Sequence, residues 1–183
     1  AINVEAPLPW RLMAEDSGGG LFMDLGSHTL DILDFIAGPL VHVAGQAGNL
    51  AGRYDVEDRV VMHFQTSGGA MGTASWNFAA SDHDDTIRLV GSTGQIVLST
   101  FGNEPVQLTK AAGVESFDLP SPTPIQEPWI RTFVEALMGR GECPSTGISA
   151  ARTAKVMDDV LASYYGGRED AFWERPGTWP GRQ

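Results

Sequence analysis

The spacing of hydrophobic residues changes twice along this chain of 183 residues. In residues 21–37 apolar side chains recur every three or four positions, which predicts an amphipathic helix. From about residue 40 to residue 119 apolar and polar residues alternate, and glycine-rich turns separate the alternating runs, so this region predicts a series of short strands. Helical spacing returns at 126–138 and at 149–165, and glycines follow both stretches.

The order of these elements predicts the fold class. A helix, a run of strands and then two helices are typical of an α+β fold, with an open, mainly antiparallel β-sheet and helices packed on one face. The length suits a single domain over residues 1–183. A short apolar stretch at residues 8–12 predicts a further strand that enters the glycine loop before the first helix.

Four strand regions contain no Asp, Glu, Lys or Arg: residues 41–52, 60–66, 70–79 and 94–100. A sheet with one wet face normally carries charged residues at alternate positions. We therefore expect both faces to be covered and predict a homo-oligomer that forms through the sheet face. The candidate contact residues are Val61, His63, Met71, Thr73 and Trp76.

The balance of charge excludes several classes of partner. The formal net charge is −11, which repels phosphate, so we expect neither nucleic-acid nor membrane binding. The lone Cys143 cannot form an internal disulfide, and no apolar run approaches the roughly 18 residues of a membrane helix, so we expect a cytoplasmic protein. Two acidic segments, residues 55–58 and 82–85, are interpreted as solvated loops.

The first predicted helix carries the candidate chemistry. At helical spacing Asp24, His28 and Asp31 fall within roughly 60° of one another on one face. An imidazole can accept a proton near neutral pH, and a carboxylate four residues away can orient it or bind a substrate hydroxyl. Two alternatives stay open from the spacing alone: structural hydrogen bonds to a loop, and a metal site with two carboxylates and a histidine.

A longer pattern surrounds these residues. Trp10-Arg11, the Gly18–Gly20 loop, Asp24-x-x-x-His28-x-x-Asp31 and the strand–turn–strand of residues 87–96 follow one another along the chain. This pattern resembles the C-terminal domain of the glucose–fructose oxidoreductase, inositol dehydrogenase and MocA family. The resemblance covers nearly the whole chain, and the glycine loop with Asp-x-x-x-His is its most specific part.

The resemblance implies the second half of a two-domain NAD(P)-dependent dehydrogenase that acts on a sugar, a cyclitol or a related hydroxy compound. His28 and Asp24 would be the catalytic pair, and Asp31 would contact the small polyhydroxylated substrate. Gly19 and Gly20 would lie near the nicotinamide. The NAD or NADP itself would be held by an N-terminal Rossmann domain, so we expect this chain alone to bind no cofactor, and we assign no metal.

Two aromatic positions and one arginine complete the candidate substrate site. Trp10, Arg11 and Trp76 have side chains that suit sugar binding, although core packing explains Trp76 equally well. A second function class also stays open, because a domain of this fold could be a non-catalytic binding or oligomerisation module.

Overall fold

The computed structural model describes residues 7–182. Its helices are α1 (Ala14–Ser17), α2 (Ser27–Ala37), α3 (Glu127–Leu137) and α4 (Gly147–Tyr165). Its strands are β1 (Leu40–Gly48), β2 (Arg59–Thr66), β3 (Met71–Asn77), β4 (Ile87–Val90), β5 (Gly94–Leu98), β6 (Val106–Lys110) and β7 (Gly113–Phe117). A π-helical turn, Phe22–Gly26, leads directly into α2.

The chain divides into two units, residues 1–81 with 146–183 and residues 82–145. The first contains the antiparallel sheet β1-β2-β3, and the second contains the antiparallel meander β4-β5-β6-β7. Helices accompany both sheets, so the predicted α+β class with antiparallel strands is confirmed. Whether the two units act as the single domain predicted over residues 1–183 stays a prediction.

One face of the three-stranded sheet forms the core of the first unit. Val60 and Met62 of β2 are buried there with Val156, Val160 and Leu161 of α4. The alternate residues of the strands point the other way, and Val61 and Met71 are 45% and 84% exposed. Helix α4 therefore covers one face of this sheet, as the antiparallel alternation requires.

The C-terminal segment closes this core with aromatic side chains. Trp179 is only 2% exposed and donates from Nε1 to the carbonyl of Phe172 at 3.1 Å. Its ring meets those of Tyr164, Tyr165 and Phe172 at centroid distances of 6.0, 4.7 and 5.7 Å. The segment thus consists of short 3₁₀ turns that an aromatic cluster holds against α4.

The second unit buries much less apolar surface. Asp85 accepts the backbone N–H groups of Thr100 and Phe101, at 3.0 and 2.7 Å, and so closes the loop after β5. Helix α3 has no buried residue, and Trp129 and Leu137 on its predicted apolar stripe are 50% and 73% exposed.

Two secondary-structure predictions are wrong. Residues 10–12 form a 3₁₀ turn rather than a strand, because the N–H of Leu12 bonds to the carbonyl of Pro9 at 2.9 Å and proline cannot donate to a strand ladder. The strand region ends at Phe117, the last residue of β7, rather than at about residue 119 as the alternation predicts.

Candidate active site

The helical segment that carries Asp24 and His28 starts at the three-glycine loop. Helix α1 ends at Ser17, and the next residue, Gly18, has a φ of 72°, in the left-handed region that glycine adopts without strain. Gly20 is buried, and a Cβ atom added to it would lie 2.3 Å from the carbonyl oxygen of Glu57. The backbone therefore approaches a neighbouring chain segment at Gly20 more closely than any other residue type allows.

Asp24 lies in the π-helical turn and His28 in the first turn of α2. Such π-helical turns are rare and are frequently found at functional sites. Each residue of a π turn rotates less about the axis than in an α-helix, so residues four positions apart stay close to one line along the segment. The backbone therefore carries positions 24 and 28 on one side.

Arg11 is the partner of Asp24. Its Nε atom lies 2.5 Å from Oδ2 of Asp24, and both side chains stay partly exposed, at 46% and 32%. The guanidinium carbon of Arg11 also lies 4.5 Å from the ring centroid of Trp10, which is a cation–π contact. The structure thus brings three predicted site residues, Trp10, Arg11 and Asp24, into one surface cluster.

His28 is exposed, and Asp31 is half-buried with Oδ1 3.5 Å from the hydroxyl of Thr153 on α4. Further along α2, the buried Asp34 accepts two hydrogen bonds from Arg152, at 3.0 and 2.5 Å. These contacts tie the far part of α2 to α4, so the helix is held while the imidazole of His28 remains at the surface. An exposed imidazole can exchange a proton with a bound solute near neutral pH.

The acidic segment 55–58 is not a solvated loop, so that interpretation is wrong for two of its residues. Glu57 and Asp58 are 0% and 1% exposed, and only Asp55 lies at the surface. The carboxylate of Asp58 accepts the backbone N–H groups of Leu50 and Ala51, at 2.9 and 2.8 Å. Backbone donors therefore compensate the burial of this charge, a kind of partner that the sequence does not reveal.

Glu57 is the residue near the site that sequence reasoning missed. Its Oε2 accepts the backbone N–H of Gly20 at 2.8 Å and the hydroxyl hydrogen of Tyr165. Burial raises the pKa of the Glu57 carboxyl, while the hydrogen bonds from Tyr165 and Gly20 and the charge of Arg168 act in the opposite direction. The sequence signal that could have indicated the burial of Glu57 is its position between the apolar Val56 and the first residues of a strand.

Trp76 lies on the inner face of the three-stranded sheet. Its ring packs edge to face against Phe22 at a centroid distance of 4.8 Å. Phe22 is fully buried, and Trp76 is half-buried at the edge of the same core cluster. Packing accounts for this ring, and its contact with a substrate stays a prediction.

The second acidic segment lies in the other unit. Asp82, His83 and Asp84 are exposed, as a solvated loop predicts, and His83 to Thr86 line a shallow cleft. Among residues 7–182, no three His, Cys, Asp or Glu side chains are arranged to hold a metal ion. Within the same range, no helix combines the length and the apolar content needed to cross a bilayer.

Comparison with known proteins identifies the family. Residues 2–97 match the model of the GFO/IDH/MocA C-terminal domain, which is more than half of the chain. The chain therefore belongs to the GFO/IDH/MocA family of oxidoreductases. A curated relative, Oxidoreductase P35 of Formosa agariphila, is 27% identical over 155 residues, which are 81% of this chain and 46% of that protein.

Solved structures share the fold. Levoglucosan dehydrogenase in complex with NADH superposes with a TM-score of 0.75 at 18% identity, over 88% of this chain and 52% of that one. An oxidoreductase from Thermotoga maritima gives a TM-score of 0.66 at 23% identity, over 86% of this chain and 49% of that one. The chain thus spans about half the length of the relatives it matches.

Proposed function

We propose that this chain is the C-terminal, substrate-binding half of an NAD(P)-dependent dehydrogenase that acts on a sugar, a cyclitol or a related hydroxy compound. The observation that carries the proposal is the pair Asp24 and His28 on one side of a helical segment that starts at a buried glycine loop, inside the range matched to the family model. Levoglucosan dehydrogenase, which has this fold, was solved with NADH and levoglucosan, and this supports the substrate class.

His28 is the general base of the proposed reaction. Oxidation of an alcohol removes a hydride from carbon and a proton from the hydroxyl group; the nicotinamide, when bound, takes the hydride. The imidazole of His28 takes the proton, because histidine is the side chain that most often serves as a general base. Asp24 binds a substrate hydroxyl or stabilises the imidazolium that forms, and Arg11 orients the carboxylate of Asp24 for this role.

Within the described glycine loop, the amides of Gly19 and Gly20 are already engaged and do not favour binding of the phosphates of a dinucleotide. The N–H of Gly20 donates to Glu57, and the N–H of Gly19 lies 3.4 Å from the hydroxyl oxygen of Ser17, so neither points to a free anion site. The net charge of −11 also opposes a diphosphate. We therefore assign NAD or NADP to a separate N-terminal Rossmann domain, with Gly19 and Gly20 near the nicotinamide ring.

Three further side chains are assigned to the substrate. Trp10 is 51% exposed, and its ring, which Arg11 contacts, offers an apolar surface for a sugar ring. Arg11 and Asp31 supply a cation and a carboxylate for substrate hydroxyls. Trp76 is retained as a predicted contact, with weaker support because its ring packs on Phe22.

The test of this function is the substitution His28→Ala in the dehydrogenase that contains this chain. The turnover number should fall by roughly 10²–10⁴, which is the usual effect of losing a general base. The affinity for NAD(P) should change little, because the dinucleotide is held elsewhere. His83→Ala removes an exposed histidine of the second unit and serves as the matched control. Near-normal turnover of the His28 variant would contradict the assignment.

The alternative of a non-catalytic module makes the opposite prediction. A module of this fold would bind or assemble without redox chemistry, and the protein with intact His28 would reduce neither NAD nor NADP with any polyol. A steady-state assay against a panel of sugars and cyclitols therefore separates the two function classes.

The proposal includes self-association through the outer face of the first unit's sheet. This face carries Val61 and His63 of β2 opposite Ser75 and Thr73 of β3, all exposed and none formally charged at neutral pH. Trp76 does not belong to it, because its ring packs on the inner face. Face-to-face contact with a second copy would bury this surface, and stable interfaces bury at least about 1,200 Å² in total.

Sedimentation of the chain at micromolar concentration tests this contact. We expect a dimer or larger species, and Val61→Lys should dissociate it because it places a charge in the buried face. Val114→Lys is the matched control, since Val114 is an exposed valine of the other unit, 63% accessible against 45% for Val61. A monomer of 19.6 kDa for the unmodified chain would contradict the prediction.

A further inference from the structure

The burial of Glu57 costs folding free energy. The residue is fully buried, and its Oε1 has no hydrogen-bond partner among the described residues. Burying an acidic group without full compensation destabilises a fold, and an apolar side chain of similar volume is often neutral or stabilising at such a site. The position is therefore not explained by stability alone, and the contacts of Oε2 are what the carboxyl group adds.

The contacts of the Glu57 carboxyl group fix the position of the glycine loop at Gly20. Oε2 of Glu57 accepts the N–H of Gly20 at 2.8 Å and the hydroxyl hydrogen of Tyr165, which comes from the C-terminal end of α4. The hydroxyl oxygen of Tyr165 in turn lies 3.5 Å from the backbone nitrogen of Glu57. The acid, the tyrosine and the glycine thus form one closed group of hydrogen bonds.

Arg168 holds the other end of the same loop. Its Nη1 donates to the carbonyl oxygen of Gly18 at 2.7 Å and lies 2.9 Å from the sulfur of Met23. Its side chain is only 14% exposed, and its Nη2 pairs with Asp158 of α4. We call Glu57, Tyr165 and Arg168 the glycine clamp, because together they fix the carbonyl of Gly18 and the N–H of Gly20.

The clamp acts at the point where the site begins. Asp24 follows Gly20 by four residues and His28 by eight, so His28 lies about 12 Å along the helical segment from the clamped amide. A helical segment is stiff, so a change in its starting direction moves every side chain that it carries. Catalysis is sensitive to such movements, since a misplacement of about 1 Å can cost roughly 10²-fold in rate.

We propose that Glu57 is a positioning residue for the proposed reaction, which acts through the backbone N–H of Gly20 to set the direction of the segment that carries Asp24 and His28. This inference rests on the proposed function for its catalytic consequence. Its structural part, the fixed Gly20 amide, stands on this chain alone. The two parts are tested separately so that a failure of one is distinguishable from a failure of the other.

The structural test measures hydrogen exchange of the Gly20 amide by NMR in the 183-residue chain. Glu57→Ala should accelerate exchange roughly 10–100-fold, which is the effect of losing a hydrogen bond to an acidic group. Glu57→Gln keeps an acceptor oxygen and should retain most of the protection. Asp58→Ala is the matched control, because this neighbouring buried carboxylate holds Leu50 and Ala51 instead of the glycine loop.

Unchanged protection of Gly20 in Glu57→Ala would overturn the clamp. So would an equal acceleration in Asp58→Ala after correction for global unfolding, because the effect would then be general loss of stability. Glu57→Gln guards against a misfolded alanine variant, since its side chain has nearly the same shape as the glutamic acid.

The catalytic test uses the dehydrogenase that contains this chain. Glu57→Ala should lower the turnover number roughly 10–100-fold with little change in the KM for NAD(P), and Glu57→Gln should restore most of it. Asp58→Ala should lower stability without this selective loss of turnover. Normal turnover with a deprotected Gly20 would overturn the positioning role. A protein with no dehydrogenase activity at all would overturn the proposed function, and the positioning role with it, while the exchange result still decides the clamp.

Discussion

The two units differ in how far their large apolar side chains are buried. The first buries Tyr164, Tyr165, Phe172 and Trp179 in one aromatic cluster against the sheet. In the second unit, Ile87 is the one described hydrophobic residue that is buried. Leu119 and Leu137 of that unit are 69% and 73% exposed.

This difference places the candidate chemistry on the better packed unit. Asp24 and His28 lie at the surface, but the loop and helix that carry them rest on buried groups. A site needs supporting residues whose own conformations are fixed by packing and hydrogen bonds. The first unit supplies these through α4, whereas the described part of the second unit has a sheet and a helix with little buried apolar surface.

Replacement of one tryptophan in each unit by alanine measures the difference in packing between the two units. Trp179→Ala should lower the free energy of unfolding by about 3–5 kcal/mol, because it removes a fully packed ring and leaves a cavity. Trp129→Ala on α3 should cost roughly 1 kcal/mol or less, since that ring is 50% exposed and stacks on Phe133, which is itself exposed. Urea unfolding of both variants measures the difference.

Similar losses at the two tryptophans would contradict the contrast between the units. In particular, a large effect at Trp129 would mean that the exposed stripe of α3 is covered in solution by something that the chain alone does not provide.

Glycine substitutions should show a smaller difference in the same direction. Gly20→Ala should destabilise the protein by about 1–3 kcal/mol, because the new Cβ atom would meet the backbone carbonyl of Glu57 at 2.3 Å and cannot be accommodated by a side-chain rotation. Gly141→Ala is the control in the second unit. Its Cβ atom would have its nearest contact at 4.0 Å, and its φ is not positive. Thermal unfolding of the two variants is the measurement, and equal midpoints would show that the loop adapts.

The smallest effect expected is a change in the pH dependence of stability. Burial raises the pKa of Glu57 in the folded chain above its value in the unfolded chain. The stability associated with the protonated group is therefore present below the ordinary pKa of glutamate and is lost as the pH rises toward the raised value. Glutamine does not titrate, so Glu57→Gln should gain stability relative to the parent chain over that window.

The control for this measurement is Glu142→Gln in the second unit. Glu142 is exposed, so Glu142→Gln makes the same chemical change without altering a buried site. Urea unfolding at several pH values gives the slope of stability against pH for both variants. Parallel curves for the parent chain and Glu57→Gln would contradict the inferred cost of burying this carboxyl group.

The sequence predicted the elements well where hydrophobic spacing was regular. The helix over residues 21–37, the glycine-rich turns between alternating runs and the helix that ends at Tyr165 are all present. It failed at residues 8–12, where proline outweighed apolar content. It also missed the π-helical turn within the first helix, because apolar spacing does not distinguish five-residue from four-residue hydrogen bonding.

The sequence by itself determined which residues are candidates for chemistry. The order of a glycine loop, an aspartate and a histidine four positions later, and a further aspartate is a local pattern, and local patterns are readable because helical geometry fixes their spacing. The family match agrees with that pattern over residues 2–97. The catalytic and substrate roles of these residues remain predictions.

Only the tertiary structure decided the environment of those candidates. Glu57 and Tyr165 are 108 positions apart in the sequence, yet they form a hydrogen bond next to Gly20. Arg168 donates to the carbonyl oxygen of Gly18, which lies 150 positions earlier. Whether an acid is solvated or buried depends on such distant partners, so Glu57 and Asp55 look alike in the sequence and behave oppositely in the fold. The physical reason is that local spacing sets which way a side chain points, whereas long-range packing sets what it meets there.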